Sequence, residues 1–144
     1  MLLWPASNCI AQEKKIPSLV CPLNDAVEIP AEKAGINFDS PEMKLVISSA
    51  TDTLVKASAD AVISRIQYDE DGLIEVVYYH RDYWFWISGL SKAVTRKDQK
   101  VKSGDVIGHL PFGKSMEILI YDFETPLDPK SILPCIVPKP ARNN

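Results

Sequence analysis

From Lys44 onward the chain alternates apolar and polar positions in short runs. Lys44–Ser49, Thr53–Lys56, Ala61–Tyr68, Leu73–His80 and Tyr83–Ile87 are rich in Val, Ile and Tyr and are separated by Asp, Ser and Gly. Runs of that length, pattern and composition predict β-strands. The clearest hairpin joins Ala61–Tyr68 to Leu73–His80 through Asp69-Glu70-Asp71-Gly72, where Gly72 can take the positive φ that closes such a loop. Ser91–Gln99 carries no apolar stripe at helical spacing and reads as a solvated connection. Val101–Gly108 predicts a tight turn into a further strand, with Gly104 at a left-handed position and Gly108 where a neighbouring backbone passes closely. Ser115–Asp122, centred on Ile118-Leu119-Ile120, is another strand, Glu124–Pro129 a turn, and Lys130–Leu133 a single helical turn. No amphipathic helix longer than two turns and no internal repeat is present, so the class is all-β with an antiparallel core.

Residues 12–41 lack any sustained period and hold prolines at 17, 22, 30 and 41, which predicts an irregular arm with one short strand around Val27-Glu28-Ile29. The tail, 134–144, holds three prolines and is expected to be extended. Residues 1–11 read as the remnant of an export signal: an apolar start, then Cys9-Ile10-Ala11 before Gln12 and the charged Glu13-Lys14-Lys15. A cut after Ala11 removes Cys9 and leaves an even pair, Cys21 and Cys135. In an oxidising compartment these form a disulfide; otherwise they are two buried thiols. No C-x-x-C spacing points to a zinc knuckle or a thioredoxin-type site.

Composition narrows the function. At 144 residues the chain suits one domain, and 46% hydrophobic with 24% charged residues excludes disorder as the main state. A net charge of -3 argues against a nucleic-acid binder that works through phosphate contacts. No apolar run is long enough to span a bilayer. Only two histidines, His80 and His109, are available, which excludes any mechanism needing three.

Three stretches carry a resemblance. Gln99-Lys100-Val101-Lys102-Ser103-Gly104-Asp105-Val106-Ile107-Gly108 is similar to a G-Q-x-V-x-x-G-x-x-I-G segment. Val76-Val77-Tyr78-Tyr79-His80 followed by Tyr83-Trp84-Phe85-Trp86 is similar to a hairpin in which a strand ends at His and an aromatic strand returns. Ser115–Pro129 matches an H-x-H-F-E-I strand and a closing P-x-D-P turn, here Pro126-Leu127-Asp128-Pro129. On these stretches residues 42–133 resemble the LytM/lysostaphin-like metallopeptidases, whose β-sheet core is the duplicated hybrid motif, a barrel-sandwich hybrid. The resemblance implies a zinc peptidase that cuts cell-wall crosslinks, or a degenerate relative that binds or regulates in the cell envelope.

The metal-site positions point to the degenerate case. The family's H-x-x-x-D pair falls on Glu42 and Val46, its H-x-H pair on Ser115 and Glu117, and its last histidine on Gly89. Val46 has no donor atom and Gly89 has no side chain, so neither zinc binding nor transition-state stabilisation is supported. The resemblance therefore implies no cofactor and no catalysis, with an envelope protein or a cell-wall peptide or glycan as partner. Glu42 and Glu117 could hold a hard ion such as calcium only if they converge. An active peptidase with unusual ligands is one alternative. A biotinyl-type carrier is another, because Glu42-Met43-Lys44-Leu45 resembles the hairpin that presents a modified lysine.

The aromatic residues Tyr78, Tyr79, Tyr83, Trp84, Phe85 and Trp86 stand within nine positions. Alternation divides them between the core and an outer face, where Trp84, Trp86, Tyr83 and His80 are candidates for a groove that takes a glycan or peptide. His109, which follows the glycine turn, is expected to be exposed. Arg81, Lys92, Arg96, Lys97, Lys100 and Lys102 form a locally basic region suited to an acidic partner.

Overall fold

Alternating apolar positions are buried by laying strands side by side with one face inward. In the computed structural model, which describes residues 18–29 and 43–135, half of the described residues are strand and 4% are helix. The strands are β1 (Ala26–Glu28), β2 (Leu45–Ser49), β3 (Leu54–Lys56), β4 (Ala61–Tyr68), β5 (Ile74–His80) and β6 (Tyr83–Leu90). They continue with β7 (Lys92–Ala93), β8 (Lys100–Val101), β9 (Val106–His109), β10 (Ser115–Asp122) and β11 (Thr125–Leu127). A single helical turn follows, α1 (Pro129–Ile132), capped by the Asp128 carboxylate, which accepts from the Lys130 N–H. The expected leader remnant 1–11, residues 12–17 and 30–41 of the arm, Glu42 at the start of the β domain, and residues 136–144 of the tail lie outside the described residues.

The main sheet runs β1-β2-β10-β6-β5-β4-β8, with β11 also paired to β10; a smaller sheet runs β3-β9-β7. Every pairing is antiparallel. The inner face of the main sheet supplies Ile47, Ile63, Tyr78, Phe85, Ile87 and Ile118 to one core, and the small sheet adds Val55 and Ile107. Tyr78 and Phe85 stack there with centroids 4.9 Å apart. The Ser58 N–H donates to the Tyr78 hydroxyl at 2.9 Å, which satisfies both groups in the interior.

Two segments differ from the sequence reading for backbone reasons. The connection Ser91–Gln99 contains β7, only two residues long and paired to β9. A Cβ on Gly108 would lie 2.6 Å from the Lys92 carbonyl oxygen, so this close pairing requires glycine. The expected turn Glu124–Pro129 contains β11, where Pro126 lies opposite Tyr121. Proline lacks an N–H, but β11 pairs on one side only and tolerates the loss. His109, expected to be exposed, is half-buried in β9 between Leu54 and Lys92.

The described part of the arm is fastened to the sheets. Val20 N–H donates to Ser58 O at 2.9 Å, Lys56 N–H donates to Pro22 O at 3.0 Å, and Leu23 is buried in the core. Cys21 and Cys135 are joined by a disulfide with a Cα–Cα distance of 4.8 Å. No helix among the described residues is long and apolar enough to cross a membrane.

Candidate functional site

Strand alternation gives the main sheet an outer face opposite the core. On β10 the buried residues are Met116, Ile118 and Ile120, so Ser115, Glu117, Leu119 and Tyr121 face outward. On β6 the buried Tyr83, Phe85 and Ile87 leave Trp84, Trp86 and Ser88 outward. Register then assembles the site from separate strands. Val46 of β2 and Ser88 of β6 lie opposite Glu117 from its two sides. Ser48 lies opposite Ser115. Trp86 lies between Leu119 and Val77, and Trp84 between Tyr121 and Tyr79.

Four of the five positions matched to a metal shell therefore converge at one end of the face: Val46, Ser115, Glu117 and Gly89. Glu42 lies outside the described residues. Val46 is 4% exposed and offers only hydrocarbon. Glu117 already has a cation beside it: the Lys44 ammonium stands 3.3 Å from its Oε1. Gly89 has φ +100, and a Cβ there would come within 2.9 Å of the Ser115 carbonyl oxygen. A side chain at position 89, histidine included, would therefore be strained. A zinc ion does not fit the described donors: one carboxylate already held by a lysine, one hydroxyl, one valine and one glycine. Among the described residues no group of three or more His, Cys, Asp or Glu side chains is placed to share a metal.

Lys44 also answers the carrier reading. A carrier needs its lysine free at a hairpin tip, whereas Lys44 leads into β2, is 19% exposed and is ion-paired to Glu117.

The aromatic groove is assembled differently from the expectation. Trp84 and Trp86 line it, and Tyr83 does not. Tyr83 belongs to the opposite set of the β6 alternation and is 4% exposed in the core. His80, at the end of β5, lines a separate cleft with Asp60, Arg81, Lys100 and Lys102. Tyr121, Phe123 and Glu124 complete the groove beside Trp84 and Trp86, around a volume of ≈ 290 Å³. Trp86 meets Tyr121 edge-on at 6.3 Å, and Trp84 stacks on Tyr79 at 4.8 Å. The Arg65 guanidinium lies 5.0 Å from the Trp86 ring centroid, a cation–π contact. Phe123 is 69% exposed and holds φ +65, a strained conformation for a bulky residue that keeps its ring at the rim. Period-two counting from Glu117 would have placed Tyr121 on this face. Phe123 and Arg65 carried no comparable signal, since one depends on a turn and the other on the β4 bulge between Ile63 and Arg65.

No protein-family model and no curated protein sequence matches the chain. Solved structures do match in shape. A chain from the complex of SpoIIIAH and SpoIIQ superposes with a TM-score of 0.65 at 16% identity, covering 78% of this chain and 98% of that one. Csd3 from Helicobacter pylori gives 0.64 at 16% identity, covering 80% of this chain and 34% of that one. The catalytic domain of the prophage-encoded M23 protein EnpA from Enterococcus faecalis gives 0.53 at 16% identity, covering 61% of this chain and 75% of that one. This chain therefore spans about a third of Csd3. The fold is the LytM-like β-sheet fold.

Proposed function

We propose that the chain is a non-catalytic LytM-fold module that binds a cell-envelope protein, or a cell-wall peptide or glycan, through the outer face of its main sheet. The observation that carries this reading is the conversion of the donor positions. Lys44 pairs with Glu117 at 3.3 Å, Val46 fills its position with hydrocarbon, and Gly89 brings no side chain and strains any that replaces it. Zinc hydrolysis needs three firm ligands and an open water position. The aromatic wall beside these positions supports recognition, because such rings give a large contact area with a polar handle. The likeness to a chain of the SpoIIIAH–SpoIIQ complex supports a protein-binding role for this fold. The export-like residues 1–11 and the Cys21–Cys135 bridge support work in an oxidising, extracytoplasmic compartment.

The test is direct. Full-length protein incubated with peptidoglycan sacculi or glycine-rich peptides, with and without zinc, is expected to release no fragments. It is expected to sediment with sacculi or with an envelope partner, and Trp86→Ala weakens that association more than Glu117→Ala. Zinc-dependent cleavage that disappears in Glu117→Ala overturns the reading. Equal affinity of the two variants removes the groove and leaves the non-catalytic assignment standing.

A further inference from the structure

We propose a second binding site, for a sugar acid (a pyranose ring bearing a carboxylate or phosphate), in the cleft between β4, β5 and β8. The cleft has a volume of ≈ 370 Å³, and its lining includes Asp60, Tyr79, His80, Arg81, Lys100 and Lys102. It stands apart from the former metal positions, so it holds whether or not the groove beside Glu117 binds anything.

Register builds the site. Lys100 lies opposite Val62, Val62 opposite Tyr79, and Tyr79 opposite Trp84, a row that crosses four strands on the outer face. The cations of the cleft gather at one end of the row. Lys44, Lys56, Lys97 and Lys130 are each paired with a carboxylate, whereas Arg81, Lys100 and Lys102 have no carboxylate partner among the described residues. Three cations with no carboxylate partner among the described residues, set against Asp60 alone in the lining, make the cleft a local electrostatic attractor on a chain of net charge -3. Arg81 follows the end of β5 with φ +57, a left-handed conformation that the turn imposes on a non-glycine residue.

Asp60 is the one carboxylate in the lining, and it offsets only one of the three cations. Asp60 Oδ1 accepts the Ser103 N–H at 2.8 Å, and the Asp60 carbonyl oxygen lies 2.8 Å from His80 Nδ1. A carbonyl only accepts, so Nδ1 carries the proton, and Nε2 is left as the acceptor of the ring when it is neutral. That arrangement suits a ligand with both an oxyanion, for the lysines and arginine, and hydroxyls, for the imidazole.

The other end of the row indicates that the ligand is more than a free anion. Tyr79 lines this cleft and Trp84 lines the aromatic groove, and the two rings stack at 4.8 Å with their planes 29° apart, so the pair stands between the two cavities. A pyranose presents a C–H face to such rings and hydroxyls at its edge. A nucleic acid would also offer phosphates and rings, but it needs a broader positive surface than this acidic chain presents.

Tryptophan fluorescence of the full-length protein tests the proposal, with four probes: a galacturonate trimer, the uncharged galactose trimer, glucose 6-phosphate and inorganic phosphate. The charged sugars are expected to bind, with affinity falling as salt rises, and the uncharged trimer to bind roughly tenfold more weakly. Preference between galacturonate and the sugar phosphate identifies which oxyanion is meant. The double variant Lys100→Glu/Lys102→Glu weakens the charged sugars at least roughly tenfold, as turning two exposed attractions into repulsions should. Lys100→Arg/Lys102→Arg retains binding. Tyr79→Ala weakens the sugars and not inorganic phosphate; if it fails to fold, Tyr79→Leu keeps the bulk and removes the ring. Equal binding of charged and uncharged trimers overturns the proposal. So does inorganic phosphate binding as tightly as the sugar acids with no effect of the Tyr79 variants. Neither result touches the Trp86 and cleavage assays of the preceding reading.

Discussion

Gly89 shows how the backbone at one position limits which residue can stand there. Its φ of +100 and the 2.9 Å approach of a hypothetical Cβ to Ser115 O combine a torsional and a steric penalty. Gly89→Ala is therefore expected to cost about 1–3 kcal/mol in urea unfolding, against a change within about 0.5 kcal/mol for the neighbouring Ser88→Ala. An unchanged Gly89→Ala midpoint would show that the strand end can relax. Asp52 gives the pH-dependent counterpart. Burial pushes its carboxyl up, but the Lys56 ammonium and the N–H groups of Asn24 and Leu54 together outweigh that and hold it below the usual carboxylate range. A pKa lowered by folding gives stability that is present above the unfolded value, about 3.9, and is lost as pH falls through the lowered one. Asp52→Asn is expected to destabilise by about 1–3 kcal/mol near neutrality. The gap to the natural protein should then close in acid unfolding curves below pH ~4; a gap that is constant across the acid range contradicts the assignment.

At the scale of elements, β10 carries both the core and the candidate site. Ile118 is buried on the inner face and Leu119 lies half-buried opposite Trp86 on the outer one. Ile118→Ala should cost about 2–5 kcal/mol, and Leu119→Ala about 1 kcal/mol; reversed values in chemical denaturation would mean that the faces are misassigned. Strands with enough alternating residues were legible in the sequence: the β4–β5 hairpin, aromatic β6 and β10 stand where the pattern put them. β7 and β11 were not, because their pairing comes from a neighbour's backbone rather than from their own side chains. The same distinction governs the site. Val46, Ser115, Glu117 and Gly89 could be placed by matching a motif along the chain, but Tyr83 was read on the wrong side because proximity in sequence does not assign a face. Lys44 beside Glu117 depends on a β2–β10 register that no local pattern specifies.

For the molecule as a whole, the decisive closure is covalent. Cys21 and Cys135 are 114 residues apart, and the bond between them encloses all of β1 to α1 while tying down the arm that buries Leu23. In the unfolded chain that link removes conformations otherwise available to a loop of over a hundred residues. In the chain-entropy account this stabilises the fold by about 4–5 kcal/mol. The sheets do not depend on it for their register, since Val20 and Lys56 still bond Ser58 and Pro22 through the backbone. The bridge should therefore set how stable the domain is, and not which fold it takes. Cys21→Ala/Cys135→Ala is expected to keep the far-ultraviolet circular dichroism of a β protein and to lower the unfolding free energy by about that amount. A loss near zero would mean that the backbone bonds already restrict the ends as tightly as the disulfide does. Loss of the β signal would mean that the bridge, rather than strand pairing, holds the arm and the sheets together.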